Sequence, residues 1–203
     1  MNEEKLLLTG CGILKKEVHF LIKKNNWPVE TLLLNSALHC DLKKLKQALT
    51  GVLKKQQAHP LIVFYGTCHP QMDQILTEGH TFRTQGQNCV EILLGPEQFQ
   101  SELAKGAFFL LEDWAQRWQE ISAKALGTTK PEIIREIYHE SGIKYLLAIK
   151  TPCSGDFSHE AQKIAELLKI PARWMNVDLK HLEQILQNVV EQKLRELHTP
   201  HEK

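Results

Sequence analysis

The chain has 203 residues, of which 42% are hydrophobic and 24% charged, the proportions of an ordinary folded protein rather than a disordered one. A formal net charge of +1 excludes the strongly basic balance that usually marks nucleic-acid binding. The longest apolar runs, such as Leu61–Tyr65 and Tyr145–Ile149, are strand-length and too short to span a bilayer.

The N-terminus opens Met-Asn-Glu-Glu-Lys, acid before a short apolar run. That is the wrong order for a secretory signal, so the expected location is the cytoplasm. Lys5–Thr9 reads as a buried strand ending at Gly10-Cys11-Gly12, and Leu14, Val18, Leu21 and Ile22 recur at helical spacing over Ile13–Lys24. Trp27-Pro28 stops that helix. Val29–Leu34 reads as a second strand, Asn35–Cys40 as a loop, and Asp41 as the N-cap of a helix carrying Leu42, Leu45, Leu49 and Val52 on one face. Pro60 introduces Leu61–Tyr65, whose unbroken apolar character implies burial on both sides, as in parallel sheets covered by helices. A helix is expected from Gln71 to Glu78.

The middle alternates less clearly. Thr81–Arg83 is a candidate short strand, Cys89–Leu94 a helix ended by Gly95-Pro96, and Phe108–Leu111 a further strand. Trp114 and Trp118 fall on one face of the helix that follows, and these two and Trp174 are most simply core. Glu132–Tyr138 reads as a helix, Lys144–Lys150 as a strand, His159–Leu168 as a helix, Ala172–Val177 as a strand and Leu179–Leu197 as a long helix. The tail Thr199–Lys203, with the histidines His198 and His201, carries no evident chemistry and is expected to fray. Strands alternating with helices at this rhythm predict an α/β chain of the Rossmann-like, three-layer kind, built on βαβ units with a mostly parallel sheet. One domain over 1–203 is expected, with 1–126 and 127–198 as candidate βαβ halves.

Ligands of such sheets bind beyond the carboxyl ends of the strands. Three segments leave a strand there with a cysteine just past its end: Gly10-Cys11-Gly12, Gly66-Thr67-Cys68 and Gln87-Asn88-Cys89. A helix N-terminus favours the thiolate, the form that binds metal or attacks an electrophile. The odd total of five cysteines, widely spaced, argues against a disulfide framework. Three converging thiolates suit a zinc completed by a histidine or water, or an iron–sulfur cluster with one iron left open. His39 is the natural fourth group, with Cys40 beside it. A buried cysteine is also a common small hydrophobe, and there is no Cys-x-x-Cys, so the metal reading rests on the fold. Arg83 is a candidate holder of an anionic group, although a salt-bridged arginine is the simpler reading. His69 beside Cys68 makes a poor nucleophile pair, and Thr151–Asp156 lacks the spacing of a phosphate loop. The lysines at 43, 44, 46, 54 and 55 read as a solvated face.

Cys11–Glu17, Ser36-Ala37-Leu38-His39, Tyr65-Gly66-Thr67-Cys68, Asn88–Gly95 and Gly106–Trp114, followed by the C-terminal βαβ from Gly142, resemble in order and spacing the prokaryotic "domain of unknown function 1638" family. The resemblance implies that Cys11, His39, Cys68 and Cys89 are its functional positions. It also implies a conceivable accessory role beside proteins of corrinoid-dependent methyl transfer. Gln87-Asn88 stands where the family tends to have His-Asp, and Phe82-Arg83 where it tends to have Pro-Arg. A carboxylate that could orient a ligand is thereby lost. The expectation is a protein binding a 4Fe-4S iron–sulfur cluster through Cys11, Cys68 and Cys89. His39 would move a proton and Arg83 would hold a small-molecule ligand, in lyase-like, sulfur or methyl-group chemistry. The alternatives are zinc held by three cysteines and His39, or a metal-free module for a small ligand or partner. Whether the chain turns a substrate over is left open.

Overall fold

The strand and helix signals of the sequence are realised in a computed structural model that describes residues 5–198. These form two units, each an α/β arrangement of the Rossmann-like kind around its own three-stranded, wholly parallel sheet. The first unit comprises residues 1–93 and 180–203, and the second residues 94–179. Each unit is thus built from parallel βαβ connections, as the alternation of strands and helices predicts.

In the first unit β1 (Leu6–Cys11) lies between β2 (Val29–Leu34) and β3 (Leu61–Phe64). The register pairs Leu6 with Val29 and Cys11 with Leu34 on one side, and Leu7 with Leu61 and Gly10 with Phe64 on the other. A 3₁₀ turn at Gly12–Leu14 leads into α1 (Lys15–Lys24), which returns the chain to β2. The helix α2 (Leu42–Lys55) carries it across β1 to β3. The Asp41 carboxylate accepts from the Lys44 N–H at 3.0 Å, which is the expected cap. Leu45, Leu49 and Leu53 of α2 are buried, whereas Leu42 is exposed together with the helix's lysines. Because the chain leaves the central strand first to one side and then to the other, the order reverses between β1 and β3. In open parallel sheets that reversal opens a crevice at the carboxyl ends.

The third strand is apolar throughout, and all four of its residues are buried. Its outer edge is covered by the segment 81–84, which forms one parallel bridge, Val63 with Arg83, rather than a strand. The Val63 N–H donates to Phe82 O at 3.1 Å and the Thr84 N–H to Val63 O at 2.9 Å. The Thr81 hydroxyl reaches Leu61 O, and the Thr84 hydroxyl reaches Tyr65 O. Beyond these come α3 (Met72–Glu78) and α4 (Cys89–Leu94). The last helix, α10 (Lys180–His198), rejoins this unit, with Leu182, Leu186, Val189 and Val190 buried and Glu183 bonded to Lys24 and Asn25.

The second unit orders its strands β4 (Ala107–Leu110), β5 (Tyr145–Lys150) and β6 (Ala172–Asn176), with β5 in the centre. Its helices are α5 (Pro96–Ala104), α6 (Glu112–Gln116), α7 (Trp118–Leu126), α8 (Pro131–Glu140) and α9 (Ser158–Leu168). Gly95-Pro96 ends α4, as expected, and also starts α5, whose first position tolerates a proline because its N–H needs no partner. Trp118 is buried against Phe108 and Tyr138, but Trp174 is 42% exposed. It lies on the open face of edge strand β6, against Phe157 and under Lys150, so the core assignment of that tryptophan is corrected. The helix expected to carry both Trp114 and Trp118 breaks at Arg117. His198 lies at the end of α10, and the tail at Thr199–Lys203 lies outside the described residues.

Candidate functional site

Close backbone contacts, available only to glycine, draw the three cysteine-bearing segments together. Gly10 sits against β3 so tightly that a Cβ there would lie 2.2 Å from Phe64 O. This holds the end of β1 against the end of β3. At Gly66 a Cβ would lie 2.3 Å from Gln87 O and 2.5 Å from Asn88 N. The Thr67 N–H then donates to Gln87 O at 2.8 Å, and its hydroxyl adds a bond to the same oxygen at 3.1 Å. The Tyr-Gly-Thr-Cys loop after β3 is therefore stitched to the turn before α4. Asn88 Oδ1 accepts from the N–H groups of Val90 and Glu91, both at 3.0 Å. The Glu91 carboxylate reaches back to the Gln87 N–H at 3.2 Å. Together these bonds cap the helix and fix Cys89 in the first turn of α4. Asn88 thus spends its side-chain oxygen on the helix cap, a task an aspartate would perform as well.

The sulfur groups respond to this convergence. Cys11 and Cys89 are buried, and their side chains share a hydrogen bond. Cys89 is pushed well above the ordinary thiol range by that bond, by burial, and by the charges that Cys11 and Cys68 would carry. Cys68, partly exposed, is also pushed up, first by burial and then by Cys11. The expected lowering at a helix start is outweighed: burial and like-charge neighbours win over the single turn of backbone N–H groups at a six-residue helix. Tyr65 is 1% exposed and feels all three thiols. Its hydroxyl has no hydrogen-bond partner.

The other expected residues serve their own loops. His39 lies in a 3₁₀ turn, Ser36–Cys40, after β2, at the same end of the sheet as Cys11. Its Nδ1 is 2.5 Å from Ser36 O and its Nε2 is 3.4 Å from Cys40 Sγ. Arg83 pairs with Asp73 at 3.0 Å and donates to Thr84 O and Gly86 O, both at 3.1 Å. His69 is buried, and its Nδ1 accepts from the Gln71 N–H at 2.9 Å, holding the entry to α3. In the second unit Thr151, Cys153 and Ser154 bond among themselves, the Gly155 N–H donates to Glu112, and Asp156 accepts from the Ser158 N–H. That loop is a turn tied by Gly155 to the start of α6.

A cavity of about 560 Å³ opens beside the cysteine loops, lined among others by Thr67, Arg83, Gln87 and Glu91. Tyr65 and Thr67 escaped the sequence reading because a terminal tyrosine of an apolar strand reads as core and a threonine as loop. For Thr67 the available signal was its position directly before Cys68. Among the described residues no group of three or more His, Cys, Asp or Glu is arranged as a metal-holding set. Among the same residues, no helix is long and apolar enough to cross a membrane.

A family model described as "Protein of unknown function (DUF1638)" matches residues 33–186, a span that includes His39, Cys68, Arg83 and Cys89 but not Cys11. No curated protein and no solved structure matches the chain.

Proposed function

The chain belongs to the DUF1638 family, and for this member we propose a metal-binding function: Cys11, Cys68 and Cys89 hold an iron–sulfur cluster of the 4Fe-4S kind. The single observation that carries this reading is that three thiols, far apart in sequence, act on one another and on Tyr65 at the crevice between β1 and β3. Three neighbouring thiols resist ionising together, since each new negative charge disfavours the next. A metal centre reverses that balance by replacing their protons with positive charge. The chemistry of the donor set therefore suits a thiolate-ligated metal, whose binding would draw the three thiols into a ligating arrangement that the described residues do not already form.

Between the candidate metals, the engagement of both His39 ring nitrogens within their own turn favours a cluster. A structural zinc needs four protein ligands, whereas a cluster held by three cysteines needs no fourth. When bound, such a cluster would offer a Lewis-acidic iron to a small molecule. The cavity lined by Thr67, Arg83 and Gln87 is the space such a molecule would enter. Arg83 acts here as a positioning residue, fixing the loop at Thr84–Gly86. His39, in the turn after β2, is the candidate for moving a proton once its turn releases the ring. The accessory role beside corrinoid methyl transfer rests on resemblance alone and gains nothing from these residues.

Protein prepared without oxygen, or reconstituted with iron and sulfide, should be brown and contain about four irons per chain, as a 4Fe-4S centre requires. Each of Cys11→Ser, Cys68→Ser and Cys89→Ser should lose most of that iron. Colourless protein with about one zinc per chain would transfer the site to the zinc reading. Serine variants with unchanged metal content would leave a metal-free ligand or partner module.

A further inference from the structure

The Tyr65 hydroxyl stands out within the first unit as a buried donor without an acceptor. It is fully enclosed and unbonded. Its backbone carbonyl, in contrast, accepts from the Thr84 hydroxyl at 3.2 Å. Leaving a buried hydroxyl unsatisfied costs about 1–3 kcal/mol, and native structures tolerate this rarely. Phenylalanine would fill the same volume without that cost. The ring itself therefore does not explain why the position carries an oxygen.

The surroundings supply an explanation. All three site cysteines lie within electrostatic reach of this phenol, on three different segments. A protonated thiol is a weak acceptor and offers the hydroxyl little. A metal-bound thiolate is anionic, and a hydrogen bond to a charged acceptor is roughly twice as strong as a neutral one. The same oxygen is thus a burden in the metal-free chain and an asset in the loaded one.

We propose that Tyr65 is a positioning residue of the three-cysteine centre, donating its hydroxyl hydrogen bond to a ligating sulfur once metal is bound. This rests on the metal-binding reading above and deepens it. The bond steadies the sulfur that accepts it and withdraws electron density from it. Both the retention of metal and the reduction potential of a cluster then depend on it, since hydrogen bonds to sulfur are among the levers that set such potentials.

The test is Tyr65→Phe in the full-length chain, measured with and without iron. Metal-free Y65F should melt at the same temperature as wild type or higher, because an unsatisfied group has been removed. Loaded with iron, it should bind the metal about 10- to 100-fold more weakly against a competing chelator. Any cluster should have a more negative midpoint potential than the wild-type cluster. Tyr145→Phe is the control, because that phenol already donates to Glu102 at 2.6 Å within the second unit. It should leave both iron readouts unchanged. A Y65F chain that loses stability without metal, or that matches wild type in affinity and potential, overturns the proposal while the cysteine reading stands. Wild-type protein that takes up no metal overturns both.

Discussion

Gly66 is the residue on which the geometry of the site turns. A methyl group there would meet the backbone of Gln87 and Asn88 at 2.3–2.5 Å, and backbone cannot step aside as a side-chain tip can. Gly66→Ala should therefore push the loop bearing Cys68 away from the turn bearing Cys89. Forced overpacking of this kind costs about 1–3 kcal/mol, and iron content should fall with it. Gly51, on helix α2, has nothing within 4 Å of its Cβ position. Gly51→Ala should stabilise the chain by about 0.5–1 kcal/mol, because alanine is the better helix former. Thermal melting and metal analysis of the two variants side by side check the pair. Equal behaviour would show that the close approach at Gly66 does not position the cysteines.

At the level of elements, the segment 81–87 performs two tasks in little more than one turn of chain. It closes the outer edge of β3 through Thr81, Val63 and Thr84, and it presents Gln87 O to the Thr67 loop. Arg83 holds its curve by donating to Thr84 O and Gly86 O while pairing with Asp73. The Asp73 side chain is 79% exposed, so the ion pair itself contributes little. Asp73→Asn should change stability by less than about 0.5 kcal/mol. Arg83→Lys removes the planar fork that satisfies two carbonyls, and should cost about 1–3 kcal/mol. Faster hydrogen exchange at Thr84 and Thr67, whose N–H groups bond to β3 and to Gln87, should accompany it; unchanged exchange would deny Arg83 its positioning role. The sequence announced β3 clearly, since five consecutive apolar residues admit few other readings. It offered Thr81–Arg83 only as a candidate short strand, and a single bridge supported by threonine hydroxyls is what forms there. Cys11 and Cys68 stood out as candidates because β1 and β3 run into them at the end where parallel sheets bind ligands, whereas Cys89 follows a single bridge and opens α4. Tyr65 was not, since only coordinates reveal that a buried hydroxyl lacks a partner.

For the whole molecule, the architecture was readable and its partition was not. The alternation of strands and helices predicted a parallel α/β chain, with two βαβ halves as a candidate division. Nothing in the pattern said that α10 would return to the first unit, because amphipathic spacing shows which face a helix buries and not against what. The first unit, containing every candidate ligand, is where metal and pH should act together. Cys89, through its bond to Cys11 and its burial, and Cys68, through burial and Cys11, both hold their protons above the ordinary thiol range. In the unfolded chain the same thiols ionise near about pH 8.5. The sign follows from linkage: a raised folded value favours the folded state below the unfolded value, and the advantage disappears as pH rises through the folded one. The metal-free chain should therefore hold its stability up to about pH 8 and lose it on further alkalinisation. The metal-bound state works in reverse, since each ligating thiol must shed a proton and affinity climbs with pH. Melting temperatures of oxygen-free samples, with and without metal, should consequently diverge between about pH 7 and 10. Replacing Cys68 and Cys89 together by serine should flatten the metal-free slope and abolish the divergence. Two parallel pH curves would mean that metal binding does not take the place of protons on these thiols.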